Sequence, residues 1–179
     1  MHCPFGRPLM LQRSKGAPLT VAHSCRRNEG QDVTDAVIQA LSQTGRLRIV
    51  DTDLSNGLEG SLKAILSAPI IENICLSKHS LIASPLPVDF LHEGAPMLRR
   101  LNMLGFHPNW AAFPFGPTLV EVRLFQHEEH DYPSPGYFLR ALDHMPNLQS
   151  LELSAKAHGW WRVVTHFRHL SSSTGAKTL

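Results

Sequence analysis

The stretch Met145-Pro-Asn-Leu-Gln-Ser-Leu-Glu-Leu-Ser-Ala-Lys156 decides the fold of this chain. Its three leucines follow the order L-x-x-L-x-L. The last two alternate with polar residues, as in a strand with one buried face, and the first lies on the turn behind Pro146 and Asn147. The stretch therefore predicts a turn followed by a half-buried strand.

The same pattern recurs along the chain: three copies have a small or apolar residue before a proline and three apolar anchors after it, and a weaker copy lacks the proline. The copies are Ala68-Pro69 with Ile71, Ile74 and Leu76; Ala95-Pro96 with Leu98, Leu101 and Met103; Gly116-Pro117 with Leu119, Val122 and Leu124; and a weaker copy at Thr44-Gly45 with Leu47, Val50 and Thr52. The first anchors are 24, 27, 21 and 29 residues apart, which is the irregular period of a leucine-rich repeat.

Amphipathic stretches alternate with these strands and predict helices at 35–41, 58–66, 87–92 and 135–144. Residues 105–116 contain too many prolines for a regular helix. Because units this small cannot bury their apolar faces alone, they must stack, and right-handed crossovers make the strands parallel. The fold class predicted is α/β, a short right-handed leucine-rich-repeat solenoid with a parallel sheet on the concave side and helices on the convex side.

The totals bound the class of protein. With 179 residues and 42% apolar residues, the chain can bury one continuous core. A net charge of +2, with no basic run interleaved with aromatics, excludes nucleic acid and anionic membrane as expected partners. Three cysteines without short spacing indicate a reducing compartment, and the lack of a signal peptide or a long apolar run predicts a cytoplasmic or nuclear location.

The repeat pattern also sets the expected domain organisation. Residues 1–159 are predicted to form one leucine-rich-repeat-like domain, and residues 160–179 a polar, poorly ordered tail, although 160–164 is also compatible with a strand. Neither end carries a polar closing repeat, which leaves open that the chain is a fragment of a longer array.

The candidate binding site consists of the strand residues that alternate with the buried anchors, since these share the opposite face of the sheet. Their mixed charges predict a polar, selective surface for a target protein. No catalytic residue, metal ligand or cofactor is predicted. The candidates are Asp51, Asp53, Asn73, Cys75, Arg100, Asn102, Glu121, Arg123, Ser150 and Glu152.

Two other readings stay open. His127-Glu-Glu-His-Asp131 offers two imidazoles and three carboxylates, so one alternative is a metal-dependent hydrolase that uses His127 and His130. Metalloprotease helices carry these histidines four residues apart, whereas here they are three apart in a stretch that favours a loop. The other alternative is a truncated repeat fragment without an independent function.

The aromatic residues Trp110, Phe113 and Phe115 also have two interpretations. They form either an exposed anchor for a partner or a plug in the core where a helix is missing.

Three stretches resemble the leucine-rich region of fungal, mushroom-type F-box proteins: Arg13-Ser-Lys-Gly-Ala-Pro-Leu-Thr-Val21, Ala95-Pro-Met-Leu-Arg-Arg-Leu-Asn-Met103 and Met145-Pro-Asn-Leu-Gln-Ser-Leu-Glu-Leu153. The likeness covers roughly residues 13–156. It implies that this region captures a target protein while a separate F-box docks on the adaptor subunit of a cullin-type ubiquitin ligase. No F-box-like Leu-Pro-x-Glu opening precedes the first repeat. Contact with the adaptor is therefore expected only of a longer form that carries an F-box.

Overall fold

The secondary structure alternates short strands with helices and turns. The computed structural model of the chain describes residues 11, 13–24, 30–54, 58–78, 84–107, 109, 110, 113–126, 134–157 and 159–166. Their strands are β1 Leu19–His23, β2 Leu47–Asp53, β3 Asn73–Ser77, β4 Ser84–Pro85, β5 Arg100–Leu104, β6 Phe106–His107, β7 Glu121–Gln126, β8 Ser150–Ala157 and β9 Gly159–His166. The α-helices are α1 Gln31–Leu41 and α2 Pro135–Asp143, and 3₁₀-helices span Thr44–Arg46 and Leu58–Ala64.

A tight turn precedes four of the strands, as the proline-led pattern predicts. In each turn the backbone N–H of the first anchor donates to the carbonyl three residues earlier, and proline fits the second position because its φ is already fixed near −65°. These bonds join Ile71 to Ala68 at 3.2 Å, Leu98 to Ala95 at 3.0 Å, Leu119 to Gly116 at 3.2 Å and Leu148 to Met145 at 3.0 Å.

The main sheet has the strand order β1-β2-β3-β5-β7-β8-β9, and β4 pairs with β6 in a separate two-stranded sheet. The six strands from β1 to β8 in this order are parallel. The chain is therefore a mixed α/β structure with a six-stranded parallel sheet, which confirms the class and the direction predicted for the repeated strands.

The last strand departs from that pattern because β9 pairs with β8 antiparallel. Only one residue of sequence separates the two strands, and a crossover between parallel strands needs about a dozen residues. The strand considered at 160–164 is thus confirmed, and the sheet continues past the predicted domain boundary at residue 159 as far as His166. Residues 167–179 lie outside the described residues.

The core lies on one face of the sheet, where the second and third anchors of successive units stack. Ile74, Leu101, Val122 and Leu151 face one another in register across β3, β5, β7 and β8 and are all buried. Thr52 takes the third-anchor position of the weaker copy. It is only 1% exposed, and its Oγ1 has no hydrogen-bond partner among the described residues. The copy with the weakest sequence match therefore also buries a polar atom.

Two of the predicted helices take other forms. The helix expected at 58–66 is the 3₁₀-helix Leu58–Ala64, which contains Gly60 and Ser61, both weak helix formers. The prediction of a helix at 87–92 is wrong, because these residues form turns. One of the turn bonds joins Phe90 N–H to the Pro87 carbonyl at 3.0 Å. Leu91 has φ 57°, a left-handed conformation that ends a right-handed helix.

Candidate functional site

The ten candidate residues lie at strand positions that alternate with the buried anchors, and we call this side of the sheet the open face. One row across it follows the parallel register from Asp51 through Cys75, Asn102 and Arg123 to Glu152. A second row, two residues earlier in each strand, contains Asn73, Arg100, Glu121 and Ser150. Asp53 is two residues beyond Asp51, opposite Ser77. The backbone register therefore brings all ten candidates to one face.

A depression of about 260 Å³ lies in the middle of the open face. Its lining includes Ile49, which sequence reasoning missed although it alternates with Val50 as Asp51 does. Hydrophobicity alone predicts that an apolar strand residue is buried, so it does not assign Ile49 to the open face. The candidate residues that line the depression are Asp51, Asn73, Cys75, Arg100, Asn102, Glu121 and Arg123.

A network of ion pairs borders the depression on one side. Arg123 Nη2 lies 2.7 Å from Glu121 Oε1, and Arg123 Nε lies 3.6 Å from Glu152 Oε2. Arg100 Nε approaches Glu121 Oε2 at 3.5 Å. These are cross-strand or same-face pairs of opposite charge, which orient the long arginine side chains along the sheet. The network therefore holds two guanidinium groups at the edge of the depression.

Glu152 and Asp53 are less accessible than a binding surface requires. Glu152 is only 6% exposed, and its strand is flanked on both sides, by Arg123 of β7 and by Val164 of β9 at the same register position. Asp53 is also buried. Alternation places both residues on the open face but does not report how accessible they are. The accessible part of the open face is consequently centred on β3 and β5.

Cys75 lies in the centre of the depression and is not suited to act as a nucleophile. Burial, followed by the charge of Asp51 and its hydrogen bond with the thiol, raises the pKa of Cys75 to about 11, against a smaller opposite effect of a hydrogen bond with Asn102. A reactive cysteine needs a lowered pKa, because the thiolate is the attacking species. The Cys75 thiol is therefore protonated at neutral pH and presents a small neutral group.

This pKa predicts slow alkylation of Cys75. In a chain with Cys3→Ser and Cys25→Ser, we expect the iodoacetamide rate to rise with pH towards a midpoint near 11. Asp51→Asn removes a nearby negative charge, so it should lower that midpoint and speed alkylation at pH 8.5. The measurement is the rate–pH profile of the folded chain. A midpoint near the ordinary value of about 8.5 in the unsubstituted Asp51 background would contradict the buried setting.

The aromatic residues form part of the core rather than an exposed anchor. Phe113 and Phe115 are buried with ring centroids 4.9 Å apart, and the half-buried Trp110 stacks on Phe115 at 5.2 Å. Trp110 also meets Phe138 of α2 edge-on at 5.7 Å. The plug interpretation is therefore confirmed.

The alternative site at His127 and His130 lies outside the described residues. Within the described ranges, no three His, Cys, Asp or Glu side chains are placed to hold a metal ion. Over the same part of the chain, no helix combines the length and apolar character needed to span a membrane.

Comparison with known proteins gives no relative. No protein-family model, no curated protein and no solved structure matches this chain.

Proposed function

We propose that this chain is a non-catalytic protein-binding module, a short leucine-rich-repeat-like solenoid whose open face is the concave side and binds a target protein. The observation that carries this proposal is the depression at the centre of that face, which seven of the ten candidate residues line. Its surroundings are polar and charged, as in interfaces that form between separately folded partners.

The backbone contacts between successive units support the repeat arrangement. The parallel register runs without a shift from β2 to β8. Equivalent bonds link the residues just before neighbouring strands, which is the nearest-neighbour stacking of a repeat protein. They are Glu72 N–H to the Arg48 carbonyl at 2.8 Å, Arg99 N–H to Glu72 at 2.8 Å, Val120 N–H to Arg99 at 2.9 Å and Gln149 N–H to Val120 at 2.9 Å.

The dimensions of the sheet also favour protein recognition. Six parallel strands about 4.8 Å apart span about 24 Å, which is compatible with the ~800 Å² that each partner buries in a stable complex. Asp51, Arg100 and Arg123 are exposed on this face. They offer the charged groups that give selectivity and fast association.

The resemblance to F-box proteins extends the proposal to ubiquitin ligases. In a longer form that carries an F-box, the open face would capture the target while the F-box contacts the ligase adaptor. Co-purification of that adaptor with a longer form, and its loss when the F-box is deleted, is the expected result. Adaptor binding by the present chain alone would contradict this division of roles.

Photo-cross-linking tests the binding face itself. A photoreactive amino acid at Asn73, on the open face, should cross-link a target protein in extract of the source cells. The control position is Tyr137 on α2. Ala141 of the same helix packs in the core, on the other side of the sheet. We expect an excess of the unmodified chain to compete the Asn73 product. Cross-links from Tyr137 alone, or products that the unmodified chain does not compete, would count against the proposal.

A further inference from the structure

The open face carries an exposed carboxylate, that of Asp51, at the β2 side of the depression. Asp51 on β2 is exposed, and its contact is with the Cys75 thiol, a neutral group. No lysine or arginine among the described residues forms an ion pair with it. An exposed carboxylate at the edge of a depression favours a cationic side chain from a partner.

An exposed guanidinium group, that of Arg100 on β5, lies across β3 from Asp51. The Arg100 side chain is 63% exposed, and its Nε lies 3.5 Å from Glu121 Oε2. Glu121 lies closer to Arg123, at 2.7 Å, so its charge is already shared. Because a guanidinium group binds a carboxylate with two parallel hydrogen bonds, Arg100 favours an acidic side chain.

The sheet geometry fixes the distance between these two groups. One strand, β3, separates β2 from β5, which gives about 9.6 Å across the sheet. Asp51 is in register with Asn102, two residues along from Arg100, which adds about 6.6 Å along the strand direction. The two Cα atoms are therefore about 12 Å apart on a diagonal across the face.

One spacing of an extended partner segment matches this Cα separation best. Its side chains alternate between two sides, so residues that point to the open face are an even number of positions apart. Two positions span about 6.6 Å and four span about 13 Å, so the spacing of four fits the 12 Å diagonal. The residue between them points at Asn73 and Cys75, which are both neutral.

We propose that the open face binds an extended segment of the target that carries an acidic and a basic side chain four residues apart, the acid over Arg100 and the base over Asp51. The inference rests on the proposed function and specifies the chemistry of its partner. Each charge on the chain thus selects the opposite charge at one position of the segment.

Selection from a library of random twelve-residue peptides, displayed on phage, tests this inference without knowledge of the target. On the unsubstituted chain, we expect enriched peptides to carry Asp or Glu four positions from Lys or Arg, in either order. Asp51→Lys should select two acids at that spacing, and Arg100→Glu should select two bases. Lys63→Glu, an exposed change in the 3₁₀-helix Leu58–Ala64, is the matched control and should leave the pattern unchanged.

The affinity of a synthetic copy of the enriched peptide measures how much each charge contributes to binding. Its affinity should fall about tenfold or more on Arg100→Glu, because a like-charge pair replaces an opposite-charge pair. Enriched peptides without a charge pattern, or one pattern shared by all four chains, would overturn the inference. So would the failure to enrich any peptide. None of these outcomes decides the proposed function, which fails separately if no competed cross-link forms from Asn73.

Discussion

Replacing Leu101 with alanine is expected to lower the free energy of unfolding by about 2–5 kcal/mol. Leu101 is fully buried in β5, with Ile74 of β3 and Val122 of β7 beside it in the same row. Alanine removes three methyl or methylene equivalents from this row and leaves a cavity that the paired backbones on both sides keep from closing. The loss is a large fraction of the stability of a typical domain, about 5–15 kcal/mol.

Leu139→Ala is the matched control, since it deletes the same atoms from an exposed position. Leu139 is 59% exposed on α2, so its truncation should change the free energy of unfolding by no more than about 0.5 kcal/mol. Both variants are compared by urea unfolding at one temperature. Equal losses in the two variants, or no loss in Leu101→Ala, would mean that the anchors do not share a buried face.

The strands that carry this core were predictable because their signals are local. Asn73–Ser77 and Arg100–Leu104 contain the anchors that the alternation predicts, and each follows a turn whose proline sets the backbone. Both signals lie within about ten residues of sequence and involve no distant contact. The same alternation was sufficient to assign ten residues to the open face.

The elements that sequence reasoning missed depend on contacts between distant residues. Ser84–Pro85 is a strand only because it pairs with Phe106–His107. The turns at 87–92 are stabilised by a bond to another unit, in which Leu91 N–H donates to the Ile65 carbonyl at 2.8 Å. Periodicity within a window cannot report such bonds, and tertiary context overrides it.

The candidate site also has features that local sequence predicts and features that it does not. Alternation gives the side of the sheet on which a residue lies, but register decides which residues meet. Arg123 pairs with Glu121 on its own strand and with Glu152 on the neighbouring strand β8, and β9 places Glu152 inside the sheet rather than at its edge. The charge separation between Asp51 and Arg100 is likewise a consequence of strand order, which no short motif encodes.

Gly105 is a second position where a single methyl group should have a large effect. It has φ +73°, in the left-handed region, and a Cβ atom built on it would meet the Lys78 carbonyl oxygen far inside van der Waals contact. Its own backbone is fixed, because its N–H donates to the Phe125 carbonyl at 2.9 Å and its carbonyl accepts from Ser84 N–H at 3.0 Å. Gly105 therefore cannot move away without breaking its own bonds to β4 and β7.

We expect Gly105→Ala to lower the free energy of unfolding by about 2–5 kcal/mol, the sum of the left-handed backbone cost and the overpacking cost. Two other glycines separate these contributions. Gly94 has φ +107° but open space around its Cα, so Gly94→Ala should cost only the backbone term, about 1–3 kcal/mol. Gly136 in α2 has neither constraint, and Gly136→Ala should leave stability unchanged or raise it by up to about 1 kcal/mol.

The test is the order of the three variants by free energy of unfolding in urea. The comparison is direct because each substitution adds one methyl group. Gly105→Ala must be the least stable and Gly136→Ala the most stable. A Gly105→Ala chain as stable as Gly94→Ala would mean that the Lys78 carbonyl relaxes freely. That result would contradict the close approach of β3 and β5 at their carboxyl ends, where Lys78 N–H donates to the Leu104 carbonyl at 2.8 Å.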